Sequence, residues 1–276
     1  MKKLSYFDLH CDTLYERFMR PEVPKHLDSE GDFLKREQIY AVWSDHKLTH
    51  DVMYNNFFGI AKLLPEGGRL AIEGGELLGD DITRLDALSA YDLAYFTLVW
   101  ADSCPIGGAW NTDEGLTDFG KAVVRRLLEL GITPDVSHAS ERMFWDVAEL
   151  TDRFIATHSN SRAVCEHRRN LTDEQFCYIR DKGGVVGISM CPHHLSEKGS
   201  ADVTHVMRHI EHYMSLSGEG TVCLGCDFDG ITETPEGLGS PAELYKLADE
   251  MAKAGYSDSL INAVFYENAN NYFKGN

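Results

Sequence analysis

Positive charge is scarce in this sequence, and the shortage limits its partners. The 276 residues carry 26 Lys and Arg against 44 Asp and Glu, a formal net charge of −18. A chain this acidic is repelled by a nucleic-acid backbone and by an anionic membrane surface. We therefore expect neither nucleic acid nor membrane as a partner.

Long hydrophobic runs are missing as well. No apolar stretch is long enough to span a bilayer. The basic start Met1–Lys3 is followed at once by a strand-like segment, which leaves no space for the apolar core and cleavage site of a secretory signal. These absences predict a cytoplasmic protein.

Cysteine lacks any regular spacing, and its number is odd, with seven residues in the chain. Cys223 and Cys226 form a C-x-x-C pattern, which occurs in some redox and zinc sites. They lie in an apolar strand-like run, however, where positions i and i+3 face opposite sides. We interpret the cysteines as buried free thiols, which indicates a reducing compartment.

Glycine-rich phosphate loops, internal repeats and interdomain linkers are also absent. Neither a G-x-G-x-x-G nor a Walker pattern opens a helix-like segment. With 43% hydrophobic residues, the chain can bury one sizeable core. We expect a single domain over residues 1–276, and we interpret the loop Asp102–Leu116 as an active-site cover rather than a boundary.

Short strand-like and helix-like segments alternate through most of the chain. The predicted strands, rich in β-branched, aromatic or small apolar residues, are Tyr6–Asp12, Ile39–Ser44, Arg69–Glu73, Leu93–Trp100, Thr133–His138, Arg153–His158, Gly184–Met190 and Thr221–Asp229. The predicted amphipathic helices are Val52–Leu64, Phe119–Leu130, Glu141–Leu150, Asp173–Lys182, Val203–Ser215, Pro241–Ala254 and Ser257–Asn271. This alternation predicts an α/β fold whose parallel sheet closes into a (β/α)₈ TIM barrel, with an open doubly wound sheet as the alternative.

Histidines and carboxylates stand at the ends of these strands. They are His10, Asp12, Glu73, His138, His158 and Asp227. In a barrel the carboxyl ends of all strands meet at one mouth, so these side chains are expected to converge. These side chains are more than one tetrahedral ion needs as ligands, and two Zn²⁺ ions about 3.5–4 Å apart fit better. Mn²⁺ or Co²⁺ could bind to the same ligands. Glu73 suits a bridging role, because Gly74 and Gly75 after it leave room for close approach.

Several of these segments resemble the membrane (renal-type) dipeptidase family of zinc metallopeptidases. The motifs are D-L-H-C-D-T, A-I-E-G-G, D-V-S-H-A-S, T-H-S-N-S-R-A-V-C, R-R-N-L-T-D and G-C-D-F-D-G-I with T-P-E-G-L after it, in order from about residue 5 to the C-terminal helix. The resemblance implies a soluble bacterial-style member, a (β/α)₈ barrel, two zinc ions and a homodimer. By motif position, His10 and Asp12 would hold one zinc, His138 and His158 the other, and Glu73 would bridge them.

Three further residues take their expected roles from the resemblance. Asp227 matches the carboxylate that handles the proton of the bridging water, so it joins Glu73 as a catalytic residue. Arg169 matches the arginine that binds the substrate's C-terminal carboxylate; judged from its neighbours alone, it would be a surface arginine. Trp100 departs from the family pattern, because animal members carry a substrate-contacting His there. An indole can donate one hydrogen bond but cannot carry a proton.

The sequence therefore predicts a dinuclear zinc dipeptidase that hydrolyses small dipeptides with a free C-terminal carboxylate by means of a metal-bridging hydroxide. Hydrolysis of another small amide, such as an N-acyl amino acid or a lactam, remains an alternative. So does a catalytically degenerate metal-binding relative, which Trp100 would support. We assign lesser roles to the residues that follow: Asp102, Asn111, His193 and His194 as replacement oxyanion donors, Asp8 and Asp229 as hydrogen-bonded supports, His205, His209 and His212 as a polar outer stripe, His46 and His50 as solvated loop residues, and His167 as a substrate-positioning residue.

Overall fold

Seven parallel strands form one curled sheet in the computed structural model, which describes residues 4–29, 31–43 and 45–274. The strands are β1 (Tyr6–Cys11), β2 (Arg36–Trp43), β3 (Arg69–Glu73), β4 (Leu93–Thr97), β5 (Thr133–Asp135), β6 (Val186–Ile188) and β7 (Val222–Leu224). Their order in the sheet is β5-β4-β3-β2-β1-β7-β6, and all the pairings are parallel. The predicted α/β class is confirmed.

Helices connect the strands and cover the sheet. They are α1 (Thr13–Met19), α2 (His50–Ala61), α3 (Arg84–Leu88), α4 (Asp118–Glu129), α5 (Glu141–Leu150), α6 (Asp173–Asp181), α7 (Pro192–Leu195), α8 (Val203–Ser215), α9 (Tyr245–Lys253), α10 (Asp258–Asn262) and α11 (Asn268–Lys274). Short 3₁₀ turns span His26–Asp28, Gly75–Leu78, Ser89–Tyr91 and Pro241–Glu243, and a π-helical segment, Ala263–Glu267, joins α10 to α11. The predicted helix at 241–254 is thus divided in two, and the one at 257–271 contains a π-helical interruption. No helix of the described part of the chain is long and apolar enough to cross a bilayer.

Local sequence explains where the best-predicted helices begin and end. The Thr117 hydroxyl accepts a hydrogen bond from the Gly120 N–H at 2.9 Å and so caps α4. The Ser140 hydroxyl accepts from the Met143 N–H at 3.0 Å and caps α5. Gly131 follows α4 with φ of +77°, a conformation that glycine adopts without a steric penalty.

One predicted strand, Arg153–His158, is not assigned as a strand. Its residues meet the sheet through single bridges instead, Ile155 with β5 and Ala156 with β6. The Ile155 carbonyl accepts from the Val136 N–H at 2.9 Å, and the Ala156 N–H donates to the Val185 carbonyl at 3.1 Å. This segment therefore lies between β5 and β6, the two strands at the ends of the sheet order.

Several predicted strands extend too far at their carboxyl ends. β5 ends at Asp135 and β7 at Leu224, three and five residues before the predicted ends. The predicted ends are wrong because the backbone turns there: His138 has φ of +70°, Asp227 has φ of +63° and Asp229 has φ of +70°, and left-handed residues cannot belong to a strand. The last residue of the predicted second strand, Ser44, lies outside the described residues.

Two buried clusters lie on the two faces of the sheet. The smaller cluster contains strand residues such as Phe7, Leu9 and Cys223 and is completed by Tyr266 and Phe273 near the C-terminus. The larger cluster packs the other face against the helices and contains Cys226. The C-x-x-C cysteines therefore belong to different clusters and are buried free thiols, as predicted. The other five cysteines are also free, and Cys104, Cys177 and Cys191 are only half-buried.

A buried carboxylate ties β1 to the end of β7. Asp8 is fully buried, and its Oδ1 accepts from the His10 N–H at 3.2 Å and from the Cys226 N–H at 2.8 Å. The Tyr6 hydroxyl donates to its other oxygen. The predicted supporting role of Asp8 is confirmed, because these bonds hold His10 beside the turn that carries Asp227.

We predict that Gly187→Ala destabilises the protein, because β6, β7 and the 155–156 segment crowd together there. A Cβ on Gly187 would lie 1.9 Å from the Thr157 carbonyl oxygen and 2.9 Å from the Gly225 Cα, so backbone must move. We expect a loss of about 1–3 kcal/mol or more in the free energy of unfolding, measured by urea denaturation. Gly220→Ala is the control, since its Cβ would meet no atom of the described residues within 4 Å. Equal stability of both variants would contradict this packing.

Candidate active site

The residues predicted from the strand ends lie together at one end of the sheet. His10 Nε2 is 3.5 Å from Asp12 Oδ2, 3.4 Å from Glu73 Oε2 and 3.9 Å from Asp227 Oδ1. His10 is fully buried, and Asp12 and Glu73 are 4% and 2% exposed. One imidazole nitrogen therefore faces three carboxylates in a nearly dry environment.

Glu73 presents its two oxygens to different histidines. Oε2 faces His10, whereas Oε1 lies 3.0 Å from His138 Nε2 and 3.3 Å from His158 Nε2. The His138 and His158 Nε2 atoms are 2.9 Å apart. Glu73 thus stands between two groups of potential ligands, which is the arrangement expected of a bridging carboxylate.

Tight backbone geometry brings the chain close to this cluster. A Cβ on Gly230 would lie 2.1 Å from Asp12 Oδ2 and 2.6 Å from Asp227 Oδ1. A Cβ on Gly75 would lie 2.6 Å from the Leu98 carbonyl oxygen, so the loop after β4 packs closely against the backbone that follows Glu73. Glycine is therefore required at both positions for steric reasons.

Tyr95 sets the tautomer of His10. The Tyr95 hydroxyl donates its single proton to the Leu9 carbonyl at 2.9 Å and lies 2.8 Å from His10 Nδ1. Because that proton is already used, Nδ1 must carry its own proton and donate it to the hydroxyl. The lone pair of His10 is then on Nε2, which faces the carboxylates.

His158 is oriented by a similar chain of hydrogen bonds. The Thr157 hydroxyl donates to Asp135 Oδ2 at 2.7 Å and lies 2.8 Å from His158 Nδ1. His158 Nδ1 must therefore be protonated, which leaves its lone pair on Nε2. Asp135 is fully buried and also accepts from the Thr97 hydroxyl at 2.6 Å.

These supporting residues, Tyr95, Thr157 and Asp135, are missing from the sequence-based site. Asp135 stands in the motif D-V-S-H, three residues before His138, so its proximity could have been noticed. Its role depends on Thr157, which belongs to a different segment, and no local pattern indicates that contact. Tyr95 likewise reaches His10 across 85 residues of sequence.

The donor set fits divalent metal ions. His10 Nε2 and Asp12 Oδ1 are buried and have no hydrogen-bond partner within the described residues. Two trios of ligand atoms lie within 4.8 Å of one another, His10 with Glu73 and His158, and His10 with Asp12 and Asp227. Imidazole and carboxylate ligands at this spacing suit zinc and related ions.

The electrostatics of the cluster also favour bound cations. Burial, reinforced by the charge of Glu73, raises the pKa of Asp12 to about 7. Burial raises the pKa of Asp227 well above its usual range, with the Asp12 and Glu73 carboxylates adding to the effect. Burial and the positive charge of Arg169 lower the pKa of His138 to about 4. The pKa of His10 moves the other way: burial opposes protonation, but the Glu73 and Asp12 carboxylates raise the pKa well above its usual range. A neutral His138 beside crowded carboxylates suits a cation, which would replace the proton of His10.

Arg169 is buried, and the interpretation as a surface arginine is wrong. Its side chain is 4% exposed, and its Nη atoms donate to the Ser159 hydroxyl and the His158 carbonyl, both at 3.2 Å. Burial lowers its pKa, whereas the charges of Asp227 and Glu73 act in the opposite direction. Its Nε has no partner in the part of the chain that the structure describes. This buried N–H is therefore free to donate to a ligand.

A cavity of about 600 Å³ opens above the cluster. Asp12, Glu73, His138 and Asp227 form part of its lining. The segment 20–26 also lines it, whereas no residue of Asp102–Leu116 does. The predicted cover is therefore wrong. The loop 102–116 instead supports His138 from behind, with the Trp110 N–H donating to the His138 carbonyl at 2.7 Å.

Trp100 lies in the cavity wall beside the cluster. Its ring centroid is 4.7 Å from that of Trp43, 5.4 Å from that of His46 and 6.2 Å from that of His138. The indole therefore occupies space next to the predicted ligands. His46 is exposed, as predicted, and stacks on Trp100.

Most of the residues given lesser roles have structural partners. Asp229 accepts from the Thr13 hydroxyl at 2.6 Å and from the His26 N–H at 2.7 Å, which confirms its supporting role. His209 is fully buried between Ser161 and Leu195, so the polar outer stripe is wrong for this residue. His194 lines the cavity, and burial together with the charge of Arg169 lowers its pKa.

We predict that Tyr95→Phe weakens metal binding, because His10 Nδ1 loses its acceptor. Affinity for zinc should fall about 10- to 100-fold, the usual cost of losing such a supporting hydrogen bond. Competition with a chromophoric chelator measures the affinity, and thermal unfolding confirms that the variant is folded. Tyr91→Phe is the control, since Tyr91 is exposed and lies outside the site. Unchanged affinity in Tyr95→Phe would contradict the orienting role.

Comparison with known proteins identifies the family. Residues 68–274 match the family model described as membrane dipeptidase, peptidase family M19. A stretch of 166 residues is 39% identical to an uncharacterized protein in the pqqA 5′ region of Klebsiella pneumoniae. That alignment covers 58% of this chain and 61% of the relative, so the chain spans less than two thirds of its length.

Solved structures share the fold over nearly the full length. The dipeptidase AC, a metallopeptidase of family M19, superimposes with a TM-score of 0.88 at 27% identity, covering 99% of this chain and 98% of that one. A metallopeptidase from Rhodobacter sphaeroides, bound to a phosphinate mimic of the dipeptide L-Ala-D-Ala, gives 0.87 at 25% identity, covering 99% of each chain. Since the family model matches well over half of the sequence, the chain belongs to the membrane dipeptidase family, peptidase family M19.

Proposed function

We propose that this protein is a metallodipeptidase that uses two Zn²⁺ ions to hydrolyse small dipeptides. The observation that carries the proposal is the position of Glu73, with one oxygen toward His10 and the other toward His138 and His158. One ion would be held by His10 and Asp12 and the other by the two remaining histidines, with Glu73 shared. Mn²⁺ or Co²⁺ could take the same ligands.

Zinc, when bound, lowers the pKa of a coordinated water and polarises the carbonyl of the scissile amide. Asp227 is the residue of this chain that handles protons. Burial and the neighbouring carboxylates favour its protonated form. In its ionised form it is therefore a stronger base than an ordinary carboxylate, and it can accept a proton from the attacking water and deliver it to the leaving amine. Hydrolysis by this route needs no nucleophilic side chain.

Arg169 is proposed to bind the C-terminal carboxylate of the substrate. Its guanidinium is buried, is anchored by Ser159 and His158, and is near enough to Asp227 and Glu73 to feel their charges. A planar guanidinium can bind a carboxylate through two parallel hydrogen bonds. A free carboxylate close to the scissile amide would select dipeptides over longer chains. The dipeptide mimic bound by the Rhodobacter relative supports a substrate of this size.

We also propose that the sheet closes as a (β/α)₈ barrel and that residues 1–276 form one domain. The support is the 155–156 segment, which bridges the two strands at the ends of the sheet order. A homodimer, a cytoplasmic location and the exclusion of nucleic-acid and membrane partners stay predictions from the resemblance and the composition.

Metal removal tests the proposed function directly. We expect that exhaustive chelation abolishes hydrolysis of Ala-Ala and that about two equivalents of Zn²⁺ per chain restore it. Ninhydrin or chromatographic detection of free alanine measures turnover. Hydrolysis that survives complete metal removal would contradict the proposal. Zinc binding without turnover of any dipeptide would favour the catalytically degenerate relative.

Arg169→Ala tests the role of the substrate carboxylate. We expect kcat/KM for a dipeptide to fall about 10- to 100-fold, since a charge-assisted pair is lost, while kcat/KM for the corresponding dipeptide amide changes little. Arg168→Ala is the matched control, because Arg168 is 51% exposed and donates to the Thr112 carbonyl outside the cavity. Zinc content is measured in both variants, so displacement of His158 would be detected. An equal loss on the dipeptide and on its amide would exclude carboxylate binding and favour another small amide.

A further inference from the structure

Three aromatic rings from separate parts of the chain form a continuous surface in the cavity. Tyr15 belongs to α1, Trp43 ends β2, and Trp100 follows β4. The rings of Tyr15 and Trp43 meet edge to face with centroids 4.8 Å apart, and those of Trp43 and Trp100 do so at 4.7 Å. All three line the cavity above the carboxylates. We refer to Tyr15, Trp43 and Trp100 as the aromatic wall.

In the proposed closed barrel, the strand order places the aromatic wall on the side opposite Arg169. The wall is carried by the region of β1 to β4, which are neighbours in the sheet. Arg169 donates to the His158 carbonyl and the Ser159 hydroxyl, which come just after the 155–156 segment between β5 and β6. Glu73 and His138 also line this cavity. A dipeptide with its carboxylate on Arg169 and its amide over the carboxylate cluster therefore extends its N-terminal residue toward the wall.

The charged side chains near the wall already have partners. The Arg20 guanidinium donates twice to the Glu16 carboxylate, at 2.8 and 2.6 Å. The Lys25 ammonium donates to the backbone carbonyls of Arg20 and Val23, at 2.8 and 2.5 Å. Val23 and Pro24 add apolar surface to the same lining. These pairings leave a charged substrate side chain little to gain against its lost hydration, whereas an apolar one would be buried against aromatic faces.

We propose that the aromatic wall is the subsite for the side chain of the N-terminal residue, and that the substrates are dipeptides with a large apolar or aromatic N-terminal residue. This inference rests on the proposed dipeptidase function and on Arg169 as the carboxylate site. It also gives Trp100 a role: the indole contributes binding surface for the substrate side chain.

The test compares dipeptides that differ at one position. The panel is Phe-Ala, Leu-Ala, Ala-Ala, Lys-Ala, Asp-Ala and the reversed Ala-Phe, with the C-terminal residue supplied in L and D forms. We expect kcat/KM for Phe-Ala and Leu-Ala to exceed that for Lys-Ala and Asp-Ala by about 10-fold or more. The gain from Phe over Ala should be larger at the N-terminal than at the C-terminal position.

Variants connect the preference to the wall. In Trp43→Ala and Trp100→Ala, the ratio of kcat/KM for Phe-Ala to that for Ala-Ala should fall toward one. Tyr245→Ala is the matched aromatic control, since Tyr245 is 52% exposed and outside the cavity lining, and it should keep the wild-type ratio. Trp43→Phe retains an aromatic surface and should also keep most of the preference. This conservative variant provides the comparison if an alanine variant does not fold.

Binding is measured beside turnover, by calorimetric titration of zinc-loaded Asp227→Asn with Phe-Ala and Lys-Ala. Hydrolysis without preference, or with preference for charged N-terminal residues, overturns this inference and leaves the dipeptidase function in place. If Phe-Ala binds more tightly than Lys-Ala and this depends on Trp43, but the zinc-loaded wild-type protein hydrolyses no dipeptide, the subsite is supported and the proposed function is overturned. Absence of both binding and turnover across the panel overturns both proposals.

Discussion

The rest of the structure depends on the contacts of one carboxylate, that of Glu73, with the histidines on its two sides. It is 2% exposed, and its two oxygens face histidines on opposite sides. Burying Glu73 beside Asp12 and Asp227 is costly unless positive charge or hydrogen bonds compensate each carboxylate. The sheet must therefore hold its strand ends in a fixed arrangement, so that imidazoles and bound cations can stabilise the buried charge.

Hydrogen bonds behind the site maintain that arrangement. Tyr95 and Thr157 each accept a hydrogen bond from the Nδ1 of an imidazole, and Thr157 in turn donates to Asp135, so that each imidazole keeps its lone pair toward Glu73. Asp8 performs a related task for the backbone, joining the end of β1 to the turn after β7. Chemistry at the mouth thus depends on polar groups buried one layer below it, which explains why so many polar side chains lie inside this sheet.

Local patterns predicted much of the fold because they depend on neighbouring residues. The strand Arg69–Glu73 and the helices Glu141–Leu150 and Val203–Ser215 have the predicted bounds. The strand prediction failed where the backbone adopts a left-handed conformation to present a ligand, since a run of strand-forming residues gives no indication of positive φ. The helix α1 was not predicted at all, because its seven residues directly follow β1 and are too few to show a helical period.

The sequence alone determined which chemical groups stand at the strand ends, because side-chain type and strand period are local properties. It therefore indicated the ligand cluster and the family. The tertiary structure decided what depends on contacts between distant segments: the burial of Arg169, the tautomer that Tyr95 imposes on His10, and the meeting of Trp43 with Trp100. Those contacts arise only when the sheet curls, since curling brings strand ends that are far apart in sequence around one cavity.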